Sequence, residues 1–419
     1  MNHIEKLLQT LAPKGVEFKT LEEVFEIKNG YTPSKNNPEF WKNGTIPWFR
    51  MEDIRENGRI LKDSIQHITP KALKGKKLFP KNSIIISTTA TIGEHALLIV
   101  DSLANQRFTF LSKKANCDIA LDMKFFFYQC FLLGEWCKNN TNVSGFASVD
   151  MSAFKKYKFP IPPLEIQQEI VKILDAFTEL NTELNTELKA RKKQYQYYQN
   201  MLLDFKGIHS NHKDAKEKLA QKPYPKRLKT LLQTLAPKGV EFRKLGEVCD
   251  FQKGKSITKK AVTFGKVPVI SGGRQPAYYH NEANRSGETI AISSSGVYAG
   301  YVSYWDIPVF LADSFSVSPK QKTLMPKYLF HYLTTQQDAI HATKSTGGIP
   351  HVYSKDLQNF LIPIPPLEIQ QEIVKILDQF LALTTDLLAG IPAEIKARKK
   401  QYEYYREKLL TFKPLTPNK

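Results

Sequence analysis

Cysteine is scarce in this sequence, and long apolar runs are absent. The 419 residues include four cysteines, none of them in a Cys-x-x-Cys pair, so neither a disulfide framework nor a zinc site is expected. No run of about 18 apolar residues is present, so no membrane-spanning helix is expected. The polar stretch MNHIEKLLQTLAPKG does not fit a signal peptide. These absences predict a cytoplasmic protein with no membrane partner.

Complete catalytic motifs are also absent. Residues 254–256 match the end of a P-loop, but the glycine needed five positions earlier is Cys249. Residues 37–40 match only part of the motif of amino-methyltransferases, and residues 394–396 lack the upstream Pro-Asp of a nuclease site. The histidines show no metal-ligand spacing. We therefore expect a chain that binds and positions a partner, with no catalytic and no metal-binding residues.

The charge balance is strongly basic. Sixty lysines and arginines face 41 aspartates and glutamates, which gives a formal net charge of +19 at pH 7. The composition is otherwise that of a folded protein, with 42% hydrophobic and 24% charged residues, so a wholly disordered chain is excluded. An excess of cations favours a polyanionic partner, either nucleic acid or an anionic membrane surface.

Three blocks of sequence occur twice along the chain. Each half contains a leader, a variable region, a proline-rich hinge and a long helical segment, which indicates one frame carrying two different recognition surfaces. The identical pairs are LLQTLAPKGVEF at 7–18 and 231–242, PIPPLEIQQEIVKILD at 160–175 and 363–378, and ARKKQY at 190–195 and 397–402.

The hinge blocks lead into two long helices. Apolar residues step by four and three from Ile166 to Leu184 and from Ile369 to Leu387, a coiled-coil spacing. Segments of about 40–45 residues have a length of about 60–65 Å if straight. We expect the two helices to pack on each other. Two separate helices, each covering its own domain, are the alternative.

The two helical segments differ in detail. A tetrapeptide is repeated about three times at 178–189, and each copy adds about 6 Å and about 40° of rotation to a helix. In the second segment, Ala-Gly-Ile-Pro at 389–392 predicts a break. The lysine-rich connector at 206–230 is predicted to be a linker of low order; a DNA-contacting basic arm is the alternative.

The variable regions are predicted to be divergent copies of one α+β domain. Both are rich in β-branched and aromatic residues, and the segments 83–89 and 289–295 are predicted to be buried strands that end in polar tips. A glycine-containing turn and a second strand follow each of them. Loops on a constant frame are where recognition residues are most often found.

The tips carry residue types that read base edges or bind phosphates. Arg and Lys can pair with guanine, Asn and Gln can pair with adenine, and Ser, Thr and Tyr can bind bases or phosphates. For each residue, a plain surface position or an internal hydrogen bond is the alternative, and we expect about a third to contact DNA. The candidates in the first region are Lys28, Asn29, Tyr31, Arg50, Thr88, Thr89, Asn105, Gln106, Arg107 and Ser144. The candidates in the second region are Lys253, Lys255, Arg274, Ser294, Ser295, Tyr298, Tyr301, Ser314, Lys344 and His351.

The twin leaders, hinges and helices and the tetrapeptide repeat resemble the DNA-specificity (S) subunit of type I restriction-modification systems, which defend against foreign DNA. The resemblance implies an α+β protein in which two mixed target-recognition domains are joined by two long antiparallel coiled-coil helices, with a pseudo-two-fold internal repeat. The implied parts are a leader (1–18), domain 1 (19–158), helix 1 (159–205), a basic linker with the second leader (206–242), domain 2 (243–361), helix 2 (362–412) and a tail (413–419).

The resemblance also implies function and partners. Each domain would read one half of a split double-stranded DNA site, and the tetrapeptide copy number would set the unread gap. Two modification (M) subunits with S-adenosylmethionine, and restriction (R) subunits with ATP and Mg²⁺, would join, so this chain needs no cofactor. The hinge blocks are the expected M-subunit docking surface, unless their identity reflects internal packing alone. The rivals are a self-contained methyltransferase or nuclease, and a coiled-coil interaction protein that binds RNA or DNA non-specifically.

Overall fold

The computed structural model divides into two compact units. Unit 1 comprises the residues up to Glu183 together with those from Lys396, and unit 2 comprises Leu184–Ile395. Each unit therefore holds one variable domain, the beginning of one long helical segment and the end of the other. The structure describes residues 2–142, 147–208, 215–320, 322–345, 348–385 and 390–415.

Unit 1 is a mixed α+β body. Its helices are α1 (Asn2–Leu11), α2 (Leu21–Val24), α3 (Met51–Asn57), α4 (Met123–Asn139), α5 (Met151–Lys155) and the first half of α6 (Leu164–Leu203). Its strands are β1 (Glu17–Thr20), β2 (Phe25–Asn29), β3 (Ile46–Phe49), β4 (Ile60–Leu61), β5 (His67–Ile68), β6 (Ser83–Ser87), β7 (His95–Leu98), β8 (Leu103–Ala104), β9 (Phe108–Lys113), β10 (Thr141–Asn142), β11 (Ser148–Val149) and β12 (Lys158–Ile161).

Unit 2 contains the second variable domain. Its helices are α7 (Ala215–Gln221), α8 (Lys226–Leu235), α9 (Leu245–Val248), α10 (Pro326–Thr335), α11 (Gln337–Ala342), α12 (Ser354–Leu357), α13 (Leu367–Thr385) and the start of α14 (Ile391–Leu410). Its strands are β13 (Glu241–Lys244), β14 (Cys249–Lys253), β15 (Val267–Ile270), β16 (Tyr278–His280), β17 (Thr289–Ser293), β18 (Val302–Trp305), β19 (Phe310–Leu311), β20 (Ser314–Pro319) and β21 (Leu361–Ile364).

The two variable domains share one topology. The main sheet has the order β2-β9-β6-β7-β4 in unit 1 and β14-β20-β17-β18 in unit 2, and a second sheet has the order β5-β3-β8 or β16-β15-β19. In both second sheets one pair is antiparallel and the other parallel. The predicted divergent duplication of an α+β domain is therefore confirmed. Unit 1 differs by an insertion between β3 and β5 that forms α3 and the extra edge strand β4.

The predicted buried strands are confirmed as β6 and β17, whose five residues are buried in each case. In both strands three consecutive apolar residues lie between two small hydroxyl residues, and all five are buried, so both faces of the strand are covered. The strands end where polar tips were expected, and each is followed by a turn with a glycine at positive φ, Gly93 or Gly300.

The hinge blocks join each helix to its own variable domain through a buried glutamine. The Gln167 amide donates to Ala120 O at 2.8 Å and to Pro162 O at 2.7 Å, and it accepts from the backbone N–H of Asp122 at 2.8 Å. Gln370 makes the same three bonds in unit 2. Packing thus accounts for part of the sequence identity between the two hinges.

The last residue of each hinge block forms an ion pair with the same neighbouring helix. Asp175 accepts from Lys124 and Tyr128 of α4, and Asp378 accepts from Lys327 and His331 of α10. Burial raises the pKa of the Asp378 carboxyl, but the hydrogen bonds from His331 and Lys327 outweigh it and hold the pKa below its usual value.

Within each unit, the beginning of one long helical segment packs on the end of the other. In unit 1 the rings of Phe177 and Tyr405 stack with centroids 5.5 Å apart. In unit 2 the rings of Tyr198 and Phe380 stack at 5.0 Å. The predicted break in the second segment is confirmed at its described end, because Gly390 is not helical and α14 begins at Ile391. Leu387, the last residue of the predicted apolar stripe, and Ala389, the first residue of the predicted break, lie outside the described residues.

The prediction that the connector is a linker of low order is wrong for its described part. Residues 215–221 form α7, and Leu219 and Tyr224 are buried in the core of unit 2 together with Ile208. Lys222 and Asp204 form an ion pair at 2.5 Å. This lysine-rich segment folds because its few apolar side chains are buried in one cluster with apolar residues of the second leader.

Candidate nucleic-acid interface

The tips of the two variable domains share one backbone frame. In each unit the first residue after β6 or β17 makes two backbone hydrogen bonds. Its N–H donates to the turn that precedes β9 or β20, and its carbonyl accepts from a second segment of the same variable domain. The matched bonds are Thr88 N–H to Arg107 O and Ser294 N–H to Asp313 O, both at 3.1 Å, and Val149 N–H to Thr88 O and Val352 N–H to Ser294 O, both at 2.9 Å. Different side chains therefore project from the same scaffold.

A cleft of about 310 Å³ lies beside the tip of variable domain 1. We call it the cationic cleft, because four cationic side chains and one carboxylate line it. Its lining residues are Thr32, Lys35, Trp48, Arg50, Met51, Glu52, Arg55, Ser87, Thr91, Asn105, Gln106, Arg107 and Phe108. Net positive charge, amide groups and one indole ring make a surface suited to phosphates and base edges.

Four of the ten candidates in domain 1 line the cationic cleft: Arg50, Asn105, Gln106 and Arg107. The Asn105 Oδ1 accepts a hydrogen bond from the backbone N–H of Arg107 at 3.0 Å, which stabilises the backbone of this turn. The Gln106 Oε1 accepts a hydrogen bond from the Thr32 hydroxyl. Arg50 lies over Trp48, with its guanidinium carbon 5.9 Å from the ring centroid.

Two candidates take the alternative of an internal hydrogen bond. Thr88 is buried, and its hydroxyl lies 3.0 Å from that of Thr109. The Thr109 hydroxyl in turn donates to Asn29 Oδ1 at 3.1 Å. Thr88 is therefore held in an internal hydrogen bond, which was the alternative to DNA contact for this residue. Asn29 joins the same chain of bonds but remains exposed.

The other candidates in domain 1 are dispersed. Lys28 is exposed and pairs with Glu26 at 2.8 Å. Tyr31 packs beside the small apolar cluster around Trp48, and its backbone carbonyl accepts from that indole. Thr89 pairs through its backbone with Ser148. Ser144 lies outside the described residues.

In variable domain 2 the structure brings Arg274, Tyr298 and Tyr301 together. The Arg274 guanidinium carbon lies 4.9 Å from the Tyr298 ring centroid and 5.6 Å from that of Tyr301. Cation–π contacts of this kind hold an exposed guanidinium in place while its N–H groups remain available. The two tyrosines stand on the turn between β17 and β18, so the tip presents a fixed Arg–Tyr group.

The neighbouring loop adds a second set of polar groups. Ser295 pairs through its backbone with His351, and its hydroxyl donates to Asp313 Oδ2. The His351 ring stacks on Tyr353 with centroids 6.0 Å apart. Lys344 reaches the carbonyl of Val297 at 3.5 Å. Ser294, Ser295, Lys344 and His351 thus lie on two adjoining loops.

Three candidates in domain 2 stand apart from these loops. Ser314 is buried and donates to Ile270 O at 3.0 Å, so it also makes the internal hydrogen bond that was the alternative to DNA contact. Lys253 and Lys255 are exposed, and both are tied into the sheet by their backbones alone: Arg285 donates to Lys253 O, and Lys255 N–H donates to Leu311 O.

Sequence reasoning missed several residues at both tips. Lys35 and Arg55 line the cationic cleft; Arg55 lies on α3 in the insertion, where it was separated from the other candidates along the chain. Asp313 is the residue directly before the predicted Ser314. Val297 and Ile349 are 82% and 65% exposed on the tip loops of domain 2, a pattern that a search for polar residues passes over.

Two of the buried cysteines are held in the unreactive thiol form. Burial raises the pKa of the Cys137 and Cys249 thiols to about 12, so both stay protonated at neutral pH. Within the described ranges, no group of three or more His, Cys, Asp and Glu residues is placed to hold a metal ion. In that same part of the chain, no helix has the length and apolar character needed to cross a membrane.

Comparison with protein families gives a match in both halves of the chain. The model of the type I restriction modification DNA specificity domain matches residues 13–193 and 237–397. The chain is 40% identical over 402 residues to the type I restriction enzyme EcoprrI specificity subunit of Escherichia coli, with 92% of each chain covered. It is 33% identical over 313 residues to the EcoR124I/EcoR124II specificity subunit of the same species, covering 66% of this chain and 70% of that one.

Two solved structures resemble the fold. The S subunit of a type I restriction-modification system from M. genitalium superimposes with a TM-score of 0.57 at 19% identity, covering 94% of this chain and 96% of that one. A chain from a structure concerned with complex assembly and conformational transition of the type I R-M system gives a TM-score of 0.56 at 18% identity, covering 94% and 97%. Both support the duplicated α+β architecture.

Proposed function

Because this chain belongs to the family of type I restriction-modification DNA specificity subunits, we propose that it is the non-catalytic subunit that reads a bipartite double-stranded DNA target in the cytoplasm. Variable domain 1 reads one block of the target and variable domain 2 reads the other. The observation that carries this proposal is the shared tip frame with different side chains, because one scaffold then presents two different base-reading surfaces.

In domain 1, the cationic cleft and its turn form the reading surface. Arg107 and Asn105 are suited to base edges, whereas Lys35 and Arg55 are suited to phosphates. In domain 2, Arg274 lies against its two tyrosines and is suited to base edges or phosphates. Neutralised phosphates release counterions, so affinity falls steeply as salt rises, by about 10³ to 10⁵ between 50 and 200 mM for six to ten contacts.

The exposed face of the hinge blocks is proposed as the docking surface for two M subunits. Internal packing explains the buried residues of the repeat, such as Gln167, but not its exposed ones. Leu164 and Leu367 are 37% and 42% exposed, and polar residues that follow them are identical and exposed in both copies. Two identical surfaces fit two identical partners. The identical exposed pairs are Leu164 and Leu367, Glu165 and Glu368, Gln168 and Gln371, and Lys172 and Lys375.

S-adenosylmethionine, ATP and Mg²⁺ are proposed to bind to the M and R subunits. Adenine methylation and ATP-driven cleavage are then carried out by those partners, and this chain determines the DNA sequence at which they act. The tetrapeptide repeat at 178–189 lies within the single helix α6, so its copy number changes helix length without changing either reading surface. We propose that it sets the length of the unread gap.

A binding experiment tests the proposal. The full chain, purified in complex with the M subunit of its own host, is incubated with a pool of random duplexes, and the bound DNA is sequenced. Enrichment of two short blocks around a constant gap supports the proposal. Equal binding to duplex DNA, RNA and heparin without an enriched motif would instead support a non-specific polyanion-binding protein.

A further inference from the structure

Arg107 and Asp313 occupy the same place in the two variable domains. The backbone carbonyl of each accepts the tip N–H, from Thr88 or from Ser294, at 3.1 Å. The turn before each of them is also anchored alike, because Asn105 N–H donates to Phe49 O and Ala312 N–H donates to Ile270 O. One backbone position therefore carries a cation in domain 1 and an anion in domain 2.

The Arg107 side chain is held ready for a partner outside the protein. It is exposed and lines the cationic cleft, and none of the described residues offers its guanidinium a hydrogen bond or an ion pair. Asn105 fixes the backbone of the turn at 3.0 Å, so the guanidinium projects from a defined point. A free, planar fork of N–H donors matches O6 and N7 of guanine, the commonest specific contact in the major groove.

Asp313 presents the opposite chemistry at the same position. Its Oδ2 accepts a hydrogen bond from the Ser295 hydroxyl, which orients the carboxylate, and the residue is exposed. Gly272 stands beside it: a Cβ at Gly272 would lie 2.6 Å from Ser295 O and 3.7 Å from Asp313 Oδ2, so the bare backbone leaves room at the carboxylate. An aspartate has only acceptors, and its usual partner in the major groove is the N4 amine of cytosine. Adenine also donates there through N6, but it presents the acceptor N7 beside that amine, which a carboxylate cannot satisfy.

We infer that this position determines specificity in both domains, with Arg107 reading a guanine in the first block of the target and Asp313 reading a cytosine in the second. The inference rests on the proposed function. It excludes a purely structural role for Asp313, in which the carboxylate only holds the Ser295 loop. Both domains then share one tip frame. The side chain at this one position determines whether the base must accept or donate a hydrogen bond.

Substitutions that replace the charged group by a neutral amide test the inference. R107Q and D313N are introduced into the full chain in its host, and adenine methylation is mapped across the genome by single-molecule sequencing. R107Q is expected to relax one guanine of the first block, with discrimination at that base falling about 5- to 150-fold and the second block and the gap unchanged. D313N is expected to relax one cytosine of the second block alone.

Matched variants separate reading from folding and from phosphate binding. K35Q is expected to lower methylation at all sites without altering the motif, because a phosphate contact carries no sequence information. S295A is expected to weaken the preference for cytosine while D313N abolishes it. If D313N lowers the unfolding temperature and keeps the cytosine, Asp313 is structural and the inference fails.

The outcomes also distinguish this inference from the proposed function. A wild-type chain that directs no split motif overturns the proposed function. A wild-type split motif that R107Q and D313N both reproduce unchanged leaves the proposed function standing and overturns only the assignment of this position.

Discussion

The buried hinge glutamines give a quantitative prediction for stability. Gln167 and Gln370 are fully buried, and each makes three hydrogen bonds. Two of the three join it to its own variable domain, including one from the N-terminal cap of α4 or α10, and the third is to a proline carbonyl of the hinge. At about 1 kcal/mol for each bond, Q167L or Q370L should cost about 3 kcal/mol. For a unit of about 200 residues this corresponds to a fall of about 6–12 °C in its unfolding temperature.

Differential scanning calorimetry, with hydrogen exchange to assign each transition to a unit, measures the effect. The matched controls are Q168L and Q371L, the adjacent and exposed glutamines of the same repeat, which should change stability by less than about 0.5 kcal/mol. Q167L should destabilise unit 1 and Q370L unit 2, by similar amounts. If the buried and exposed glutamines give equal effects, the hinge is not the link between helix and domain.

Three further predictions address the gap, acid stability and partner binding. Deleting residues 182–185 removes one tetrapeptide, about 6 Å of helix, and should shorten the methylated motif's gap by one or two base pairs with both blocks unchanged. An unchanged gap would refute the proposal that the repeat sets the gap length. Burial, and then the charge of Arg59, lowers the pKa of His95 to about 3, so below pH 6.5 only the unfolded chain binds this proton. Stability is therefore complete above about pH 6.5 and should fall by up to about 1.4 kcal/mol per pH unit as the pH drops towards 3; acid unfolding curves of H95L should lack this slope. K172E or K375E alone should leave one M subunit bound in native mass spectrometry and the double variant none, whereas full assembly of the double variant would exclude this surface.

Much of the architecture follows from the sequence because the duplication leaves a direct record. Identical hinge blocks predict equivalent helices, and the strand segments at 83–89 and 289–295 combine apolar runs with polar ends, which is the signature of a buried strand. The turns after them are equally legible, because Gly93 and Gly300 supply the positive φ that each turn requires.

The connector shows where local composition fails. Residues 206–230 are rich in lysine, but Leu219 and Tyr224 are buried in one cluster with apolar residues of the second leader. Their burial accounts for the folding of the described part. Burial of these two side chains in the core of unit 2, which includes residues as far along the chain as Leu377, outweighs the local preference for disorder. No window of a few residues contains that information.

The tip residues show a second limit. Thr88 and Ser314 have suitable chemistry for DNA but point into the protein, while Asp313, next to Ser314, points out. Side chains alternate between the two faces of a strand, so a difference of one residue decides between reading surface and core. The partner of Thr88, Thr109, lies on another strand, and only the fold brings the two hydroxyls together.

The most direct measurement of the central claim is a map of adenine methylation in the host genome with and without this gene. The account predicts a split motif of two short blocks around a constant gap that disappears when the gene is deleted and returns when it is restored. A motif that persists after deletion, or a single uninterrupted motif that the gene controls, would contradict the claim that two domains of this chain read two halves of one target.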